Sequence, residues 1–234
     1  ATMNDATKNV GVGYQALSAL TTGDSNIAIG ANAGDAMTDN NYNVAVGVNA
    51  FGAADSGEEG NTLLGHHAGS SINDGGSHYN VILGYTAGTG GTGAMLKCVA
   101  IGKNAMTSTA GNAQTGTVAI GNDALKVLTT GAGNLAIGYQ AGFALTTSPD
   151  NVIIGYSAGY SELDSSGGNV VIGKEAYKTI SGGYQNTVIG TEAMKTSGTA
   201  SDNNPINSVA IGYQALKGIT TGDYNVAIGY RAGF

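Results

Sequence analysis

The chain has 234 residues, 40 of them glycine, with 11% charged residues, no tryptophan and a formal net charge of −7. That is too little charge and too much regularly spaced aliphatic for a disordered chain, collagen's glycine at every third position is missing, and no basic patch is present to hold nucleic acid or an anionic membrane. No apolar run is long enough for a membrane span, no signal peptide is legible, and the single cysteine, Cys98, excludes an intrachain disulfide.

Near the start stands NVGVGYQAL, residues 9–17, and near the end NVAIGYRAG, residues 225–233. Between them one motif recurs: aliphatic, any residue, aliphatic, Gly, two free residues, Ala. It occurs thirteen times, with its glycines at Gly13, Gly30, Gly47, Gly65, Gly84, Gly102, Gly121, Gly138, Gly155, Gly173, Gly190, Gly212 and Gly229. The intervals run from 17 to 22 residues, and an alanine follows every motif glycine by three, from Ala16 to Ala232. A fixed period near eighteen residues means stacked repeats. The array fills the chain from about residue 9, so residues 1–234 are expected to form one all-β array, a parallel β-roll or β-solenoid of about thirteen coils. Capping repeats with a polar outer face are missing at either end, so the array is expected to be a piece of a longer fibre protein.

Within a coil, Asn26-Ile27-Ala28-Ile29-Gly30 alternates as a strand does. The residue between the two aliphatics is never polar: Gly11, Ala28, Ala45, Leu63, Ile82, Ala100, Ala119, Ala136, Ile153, Val171, Val188, Ala210 and Ala227. Both faces of the strand are therefore expected to be buried. One packs inside the coil, and the rest of the sequence offers no second layer for the other, so a second copy of the chain is expected to cover it in a closed cyclic assembly. The mostly small middle residues are expected to be the face turned toward that axis. Each motif glycine is expected to take a backbone shape that a Cβ would forbid, and the alanine after it to sit on a second short strand or a packed corner.

Ten motifs begin with asparagine: Asn9, Asn26, Asn43, Asn61, Asn80, Asn134, Asn151, Asn169, Asn186 and Asn225; the others begin with Cys98, Thr117 and Ser208. Stacked at about 4.8 Å, asparagine amides can form a ladder. The plainer reading is a turn residue in the left-handed conformation.

The motifs NVAIGYRAG and SVAIGYQAL resemble the head repeats of trimeric autotransporter adhesins. The longer NVGVGYQALSALTTGDSN looks still more like repeats of phage tail fibres and related bacterial surface proteins. The resemblance implies left-handed parallel β-rolls, three chains around one axis, often followed by an endosialidase-type intramolecular chaperone. The expected function is then a structural fibre of a phage virion, a tail or capsid fibre forming a rigid trimeric rod for host attachment. The alternative is the head of a bacterial trimeric adhesin at the cell surface. The expected partners are the other two chains of a homotrimer, further virion or surface-fibre proteins, and a host glycan or protein receptor, with no nucleic acid and no membrane insertion.

Enzymatic readings are weaker. A left-handed β-helix acyltransferase also has a coil of about eighteen residues, built from three hexapeptides. Six and twelve residues after Val12, however, stand Ser18 and Asp24, and after Ile29 stand Asp35 and Asn41. No catalytic residue, cofactor or metal site is expected. His66, His67 and His78 are the only histidines; three copies around an axis could hold a metal, but a solvated position is the expectation. Asp24, Asp35, Asp39, Asp150, Asp164, Asp202 and Asp223 are scattered among Gly and Asn without calcium-loop spacing, and turn formation is expected of them. Tyr14, Tyr85, Tyr139, Tyr156, Tyr213 and Tyr230 follow motif glycines and are expected to form a packing column, with a sugar-binding stripe as the functional alternative. Lys126, Lys178, Lys195 and Lys217, each two residues after a motif alanine, are expected to be charges that discourage sideways aggregation. Thr-Thr-Gly at Thr21, Thr129 and Thr220 is missing from too many coils for a threonine array. The irregular linkers 70–79, 89–97, 107–116 and 195–207 are the expected contact loops.

Overall fold

The computed structural model describes residues 6–91, 93–109, 113–161, 167–180, 182–196, 204–220 and 222–233. It is an all-β parallel solenoid, with no helix among the described residues. Two compact units divide the chain, Ala1–Thr117 and Val118–Phe234.

The first unit carries β1 (Val10–Val12), β2 (Ile27–Ile29), β3 (Val44–Val46), β4 (Thr62–Leu64), β5 (Val81–Leu83) and β7 (Val99–Ile101), each parallel to the next. The second carries β9 (Val118–Ile120), β10 (Leu135–Ile137), β11 (Val152–Ile154), β12 (Val170–Ile172), β13 (Thr187–Ile189), β14 (Val209–Ile211) and β15 (Val226–Ile228), paired in the same way. Thirteen motifs thus give thirteen strands, which bound five complete turns in the first unit and six in the second. Register is the same throughout: Ile27 pairs with Val44, and Leu135 with Val152. Two further strands, β6 (Met95–Leu96) and β8 (Gln114–Thr115), pair in parallel inside linkers 89–97 and 107–116.

The strand faces are reversed from the sequence expectation. The middle residue points into the coil: Ala28 is 0% exposed between Ile27 at 37% and Ile29 at 40%. Most of the inward residues are small, but Leu63, Ile82, Ile153, Val171 and Val188 take the same position at 0% exposure, and the residues on either side point outward. The inner layer that sequence reading missed lies four and seven residues after each motif glycine. Leu17, Phe51, Met106, Leu125, Tyr177 and Met194 fill the first position, and Leu20, Met37, Ile72, Leu128, Leu145 and Ile180 the second, all buried. Where the first position has no large side chain it is glycine, and neighbours use the space. A Cβ on Gly69 would stand 2.3 Å from Leu63 Cδ2, and one on Gly142 would stand 2.8 Å from Leu125 Cδ2. The signal is visible only when residues are counted from the motif glycine across coils rather than along the chain.

The motif glycines hold φ between +127° and +145°, a region that side chains with a Cβ avoid. The stack adds a second reason. A Cβ on Gly47 would meet the carbonyl oxygen of Gly65 at 2.3 Å, and one on Gly173 that of Gly190 at 2.5 Å. The alanine three residues later sits at a packed corner, as in Ala50 and Ala141 at 0% exposure, and on no strand. Its corner is also laddered, since Leu17 N donates to Ala33 O and Leu125 N to Ala141 O.

Candidate interaction surface

Three columns of side chains run from coil to coil, and each offers different chemistry. The innermost is the asparagine column. In the first unit the Oδ1 of Asn26 accepts from both N (3.0 Å) and Nδ2 (3.3 Å) of Asn43. Asn43 Oδ1 does the same for Asn61, and Asn61 Oδ1 for Asn80. In the second unit the same bonds join Asn134, Asn151, Asn169 and Asn186. The free amide hydrogen of each goes to a linker carbonyl, as from Asn61 to Ser77 O and from Asn26 to Asn40 O. Asn9 opens the column, its Oδ1 taking the N–H of Asn26.

At two of the three positions where asparagine is replaced the backbone bond persists, whereas Thr117 Oγ1 is buried with no hydrogen-bond partner. Cys98 N and Ser208 N donate to Asn80 Oδ1 and Asn186 Oδ1, and Ser208 Oγ accepts from Asn225 N. Except for Asn9 and Asn225 at the two ends, these side chains are buried, and their hydrogen bonds are made within one chain. The left-handed turn residue is not the asparagine but the one before it: Ser25, Tyr42, Tyr79, Asp150, Gln185 and Tyr224 all have φ between +55° and +60°. Burial pushes the Cys98 thiol up, away from the reactive thiolate.

The second column is the rim after the motif glycine. Tyr139 stacks on Tyr156 at 5.1 Å between centroids, Tyr213 on Tyr230 at 5.4 Å, and His66 on Tyr85 at 5.3 Å. All of these tyrosines are exposed at their edges, as is Tyr14. One position further on, polar side chains form a second ladder. Asn32 Nδ2 donates to Asn49 Oδ1, and Asn49 Nδ2 meets His67 Nε2. Beside it a surface groove is lined by Asp35, Asn49, Gly52, Ala53, His67 and Ser70. It places a serine, a histidine and an aspartate together, yet His67 Nε2 is turned to Asn49, which is not the relay a nucleophilic serine requires. His78 lies elsewhere, its Nδ1 accepting from Glu59 N. No group of three His, Cys, Asp or Glu that could hold a metal exists among the described residues.

In the second unit the same rim is charged. The lysines expected to discourage sideways aggregation are each paired with an acid: Lys126 with Asp123, Lys178 with Glu175, Lys195 with both Glu175 and Glu192, and Lys217 with Glu192. Hydrogen bonds from Lys217, Gln214 and Lys195 hold the Glu192 carboxyl down at about 2. Bonds from Lys195 and Lys178 likewise hold Glu175 below the ordinary carboxylate range. A lysine two residues past the alanine lies three residues past the acid, so the pairing follows from the corner's geometry.

The third column is the outward strand face. In the first unit it presents Val10, Val12, Ile27, Ile29, Val44, Val46, Leu64, Val81, Leu83, Val99 and Ile101, broken only by Thr62; in the second it is aliphatic except for Thr187. No charged side chain stands on it. Val12 is 56% exposed, Leu64 49% and Val226 71%.

Of the acids expected in turns, Asp24 takes the N–H and hydroxyl of Thr7, Asp39 the N–H of Gly57 and Asp223 the N–H of Ile206. Asp164 and Asp202 lie outside the described residues, as do parts of linkers 89–97, 107–116 and 195–207. No protein-family model, curated protein or solved structure matches the chain.

Proposed function

We propose that this chain is a structural segment of a virion fibre, a phage tail or capsid fibre, in which three copies pack their outward strand faces together and present rims and linkers for host attachment. The observation that carries the reading is the uncharged aliphatic face repeated at every coil. Contiguous apolar surface of this kind is an interaction site in a folded protein. The partner it suits best is a copy of the same chain, because only a partner with the same spacing can match it rung for rung. Identical chains solve this with a closed ring. The rims described above remain outside such a packing and are polar or aromatic, as a surface meeting a glycan or protein receptor would be. The head repeats of bacterial trimeric adhesins, which these motifs resemble, give the second setting, and the neighbouring segments of the full polypeptide separate the two: a receptor tip or chaperone in one, a coiled coil and membrane anchor in the other.

Light scattering on the purified chain tests the assembly. The expected result is a β-rich species near three times 23.1 kDa. Ile29→Asp combined with Ile154→Asp should give a monomer with unchanged far-ultraviolet circular dichroism, since both side chains point away from the coil. A folded wild-type monomer would overturn the trimer and the fibre with it.

A further inference from the structure

Glu58 lies in the linker between β3 and β4 and is 0% exposed. It occupies the place that Asn40 holds one coil earlier and Ser77 one coil later, both also buried. The column is polar and enclosed. Asn40 Nδ2 donates to Glu58 Oε2, while Asn40 Oδ1 accepts from Thr38 N and Ser77 Oγ accepts from Met95 N. Glu58 Oε1 is buried with no hydrogen-bond partner. The residue is also a rung of the main ladder, because its carbonyl accepts from Asn43 Nδ2 at 2.8 Å.

A buried carboxylate needs a cation or several donors. This region offers no cation: no lysine or arginine occurs between Lys8 and Lys97. The titratable groups around Glu58 are Asp39 from the coil before, Asp55 and Glu59 from its own linker, and Asp74 and His78 from the coil after. The carboxylates of Asp39, Asp55 and Asp74 are engaged with the N–H groups of Gly57, Ser56 and Gly76. Glu59 Oε1 takes Asn41 Nδ2, and His78 Nδ1 takes Glu59 N. None of these is a base paired to Glu58, and four are acids.

We propose that Glu58 is a proton-binding site inside the first unit: protonated, it lets the linker between β3 and β4 close over it, and ionised, it drives that linker open. A protonated carboxyl keeps Oε2 as the acceptor for Asn40 and turns the other oxygen into a donor, removing the unpaired charge. Burial pushes the carboxyl from 4.5 up to about 7, with the charge of Asp55 adding to the rise and N–H groups of Glu58 and Asp74 offsetting part of it. Because the folded value lies above the unfolded one, the contribution to closure is complete below about pH 4.5 and is lost as pH rises through about 7. The site is complete within one chain and does not depend on the fibre reading.

Hydrogen exchange on the full chain at pH 5.5 and 8.5, corrected for intrinsic rates, tests the proposal. Protection of the peptide spanning residues 54–61 should fall about tenfold or more at the higher pH. The corresponding segment around Ser148, which has no carboxyl in the column, should hold steady. Glu58→Gln should keep residues 54–61 protected at both pH values. Equal protection of the wild type at both, or a pH-dependent loss that survives in Glu58→Gln, would overturn it. Infrared difference spectroscopy of the wild type supplies a second reading should the variant not fold. A buried protonated carboxyl band at pH 6 that vanishes by pH 8.5 is expected, and absence of that band at pH 6 would also overturn the proposal.

Discussion

The two units share one backbone scheme and differ in their charges. Residues 1–117 hold eight acids against three lysines, and residues 118–234 hold eight acids against six lysines and arginines. In the second unit acids and lysines meet at the rim, three residues apart and across coils. In the first the rim is amide and imidazole, while acids sit in the linkers and one is sealed inside. The lesson is that coil geometry fixes where a side chain points but leaves its chemistry free. A stack of parallel turns satisfies its backbone from coil to coil, so rims and linkers can drift without disturbing the fold.

If the backbone scheme is common to both units, breaking it should cost the same in each, and this is the largest effect expected. Gly65→Ala and Gly155→Ala would each place a Cβ within 2.6 Å of the next coil's carbonyl oxygen, at φ near +140°. Losses above about 3 kcal/mol, or failure to fold, are expected from both. Gly229→Ala, at φ +130° with nothing within 4 Å of the added Cβ, should cost only the backbone strain, about 1–3 kcal/mol. Thermal melts of the three variants check this, and tolerance of only one of Gly65→Ala and Gly155→Ala would show that the scheme is not shared.

The next effect concerns the asparagine column. Asn61 accepts from Asn80 and donates to Asn43 and Ser77, and Asn169 stands in the same way to Asn186, Asn151 and Gly183. Replacing either by alanine strands buried donors and acceptors, at about 2–4 kcal/mol. Asn→Ser, which keeps an acceptor as Ser208 does, should recover part of the loss. Chemical denaturation of the single variants gives the numbers, and a difference of more than about 1.5 kcal/mol between the units would mean that the columns are not equivalent.

Much of this architecture was legible because the repeat is strict. The thirteen glycines, the strands before them and the columnar spacing of asparagines follow from counting. The direction of the strand faces did not, because Ile27 and Ala28 are both apolar, and apolarity cannot tell the inside of a thin coil from an interface. Volume does not decide it either, because Leu63, Ile82 and Ile153 fill in their coils the inner position that Ala28 fills in its own. Nor could the lysine pairs that cross coils be read along the chain. Lys217 meets Glu192 across 25 residues, a separation that means nothing until the coils are stacked. Glu58 was hidden for the same reason: in the sequence it is one of two glutamates in an acidic turn, and only the column reveals that it points inward while Glu59 meets Asn41 on the edge.

The smallest effect sharpens the comparison most, because the two units should respond to pH and salt in opposite ways. Glu192 is held at about 2 by Lys217, Gln214 and Lys195. Its folded value lies below the ordinary 4.5, so its stabilisation is present above about pH 4.5 and is lost as pH falls toward 2. Glu58, held at about 7, works in reverse. Acid should therefore loosen the rim of the second unit while the linker around Glu58 stays closed. Glu192 keeps 24% of its side chain exposed, so solvent screens much of the attraction and the network contributes about 1 kcal/mol at low salt. Glu192→Gln should cost about that in dilute buffer and much less in 1 M NaCl. Asn49→Ala in the first unit, which removes the hydrogen bonds to Asn32 and His67 and no ion pair, should cost the same at both salt levels. Denaturant midpoints for the two variants at low and high salt measure the contrast. If Asn49→Ala proved as salt-sensitive as Glu192→Gln, the division into a charged rim and a neutral one would carry no energetic weight.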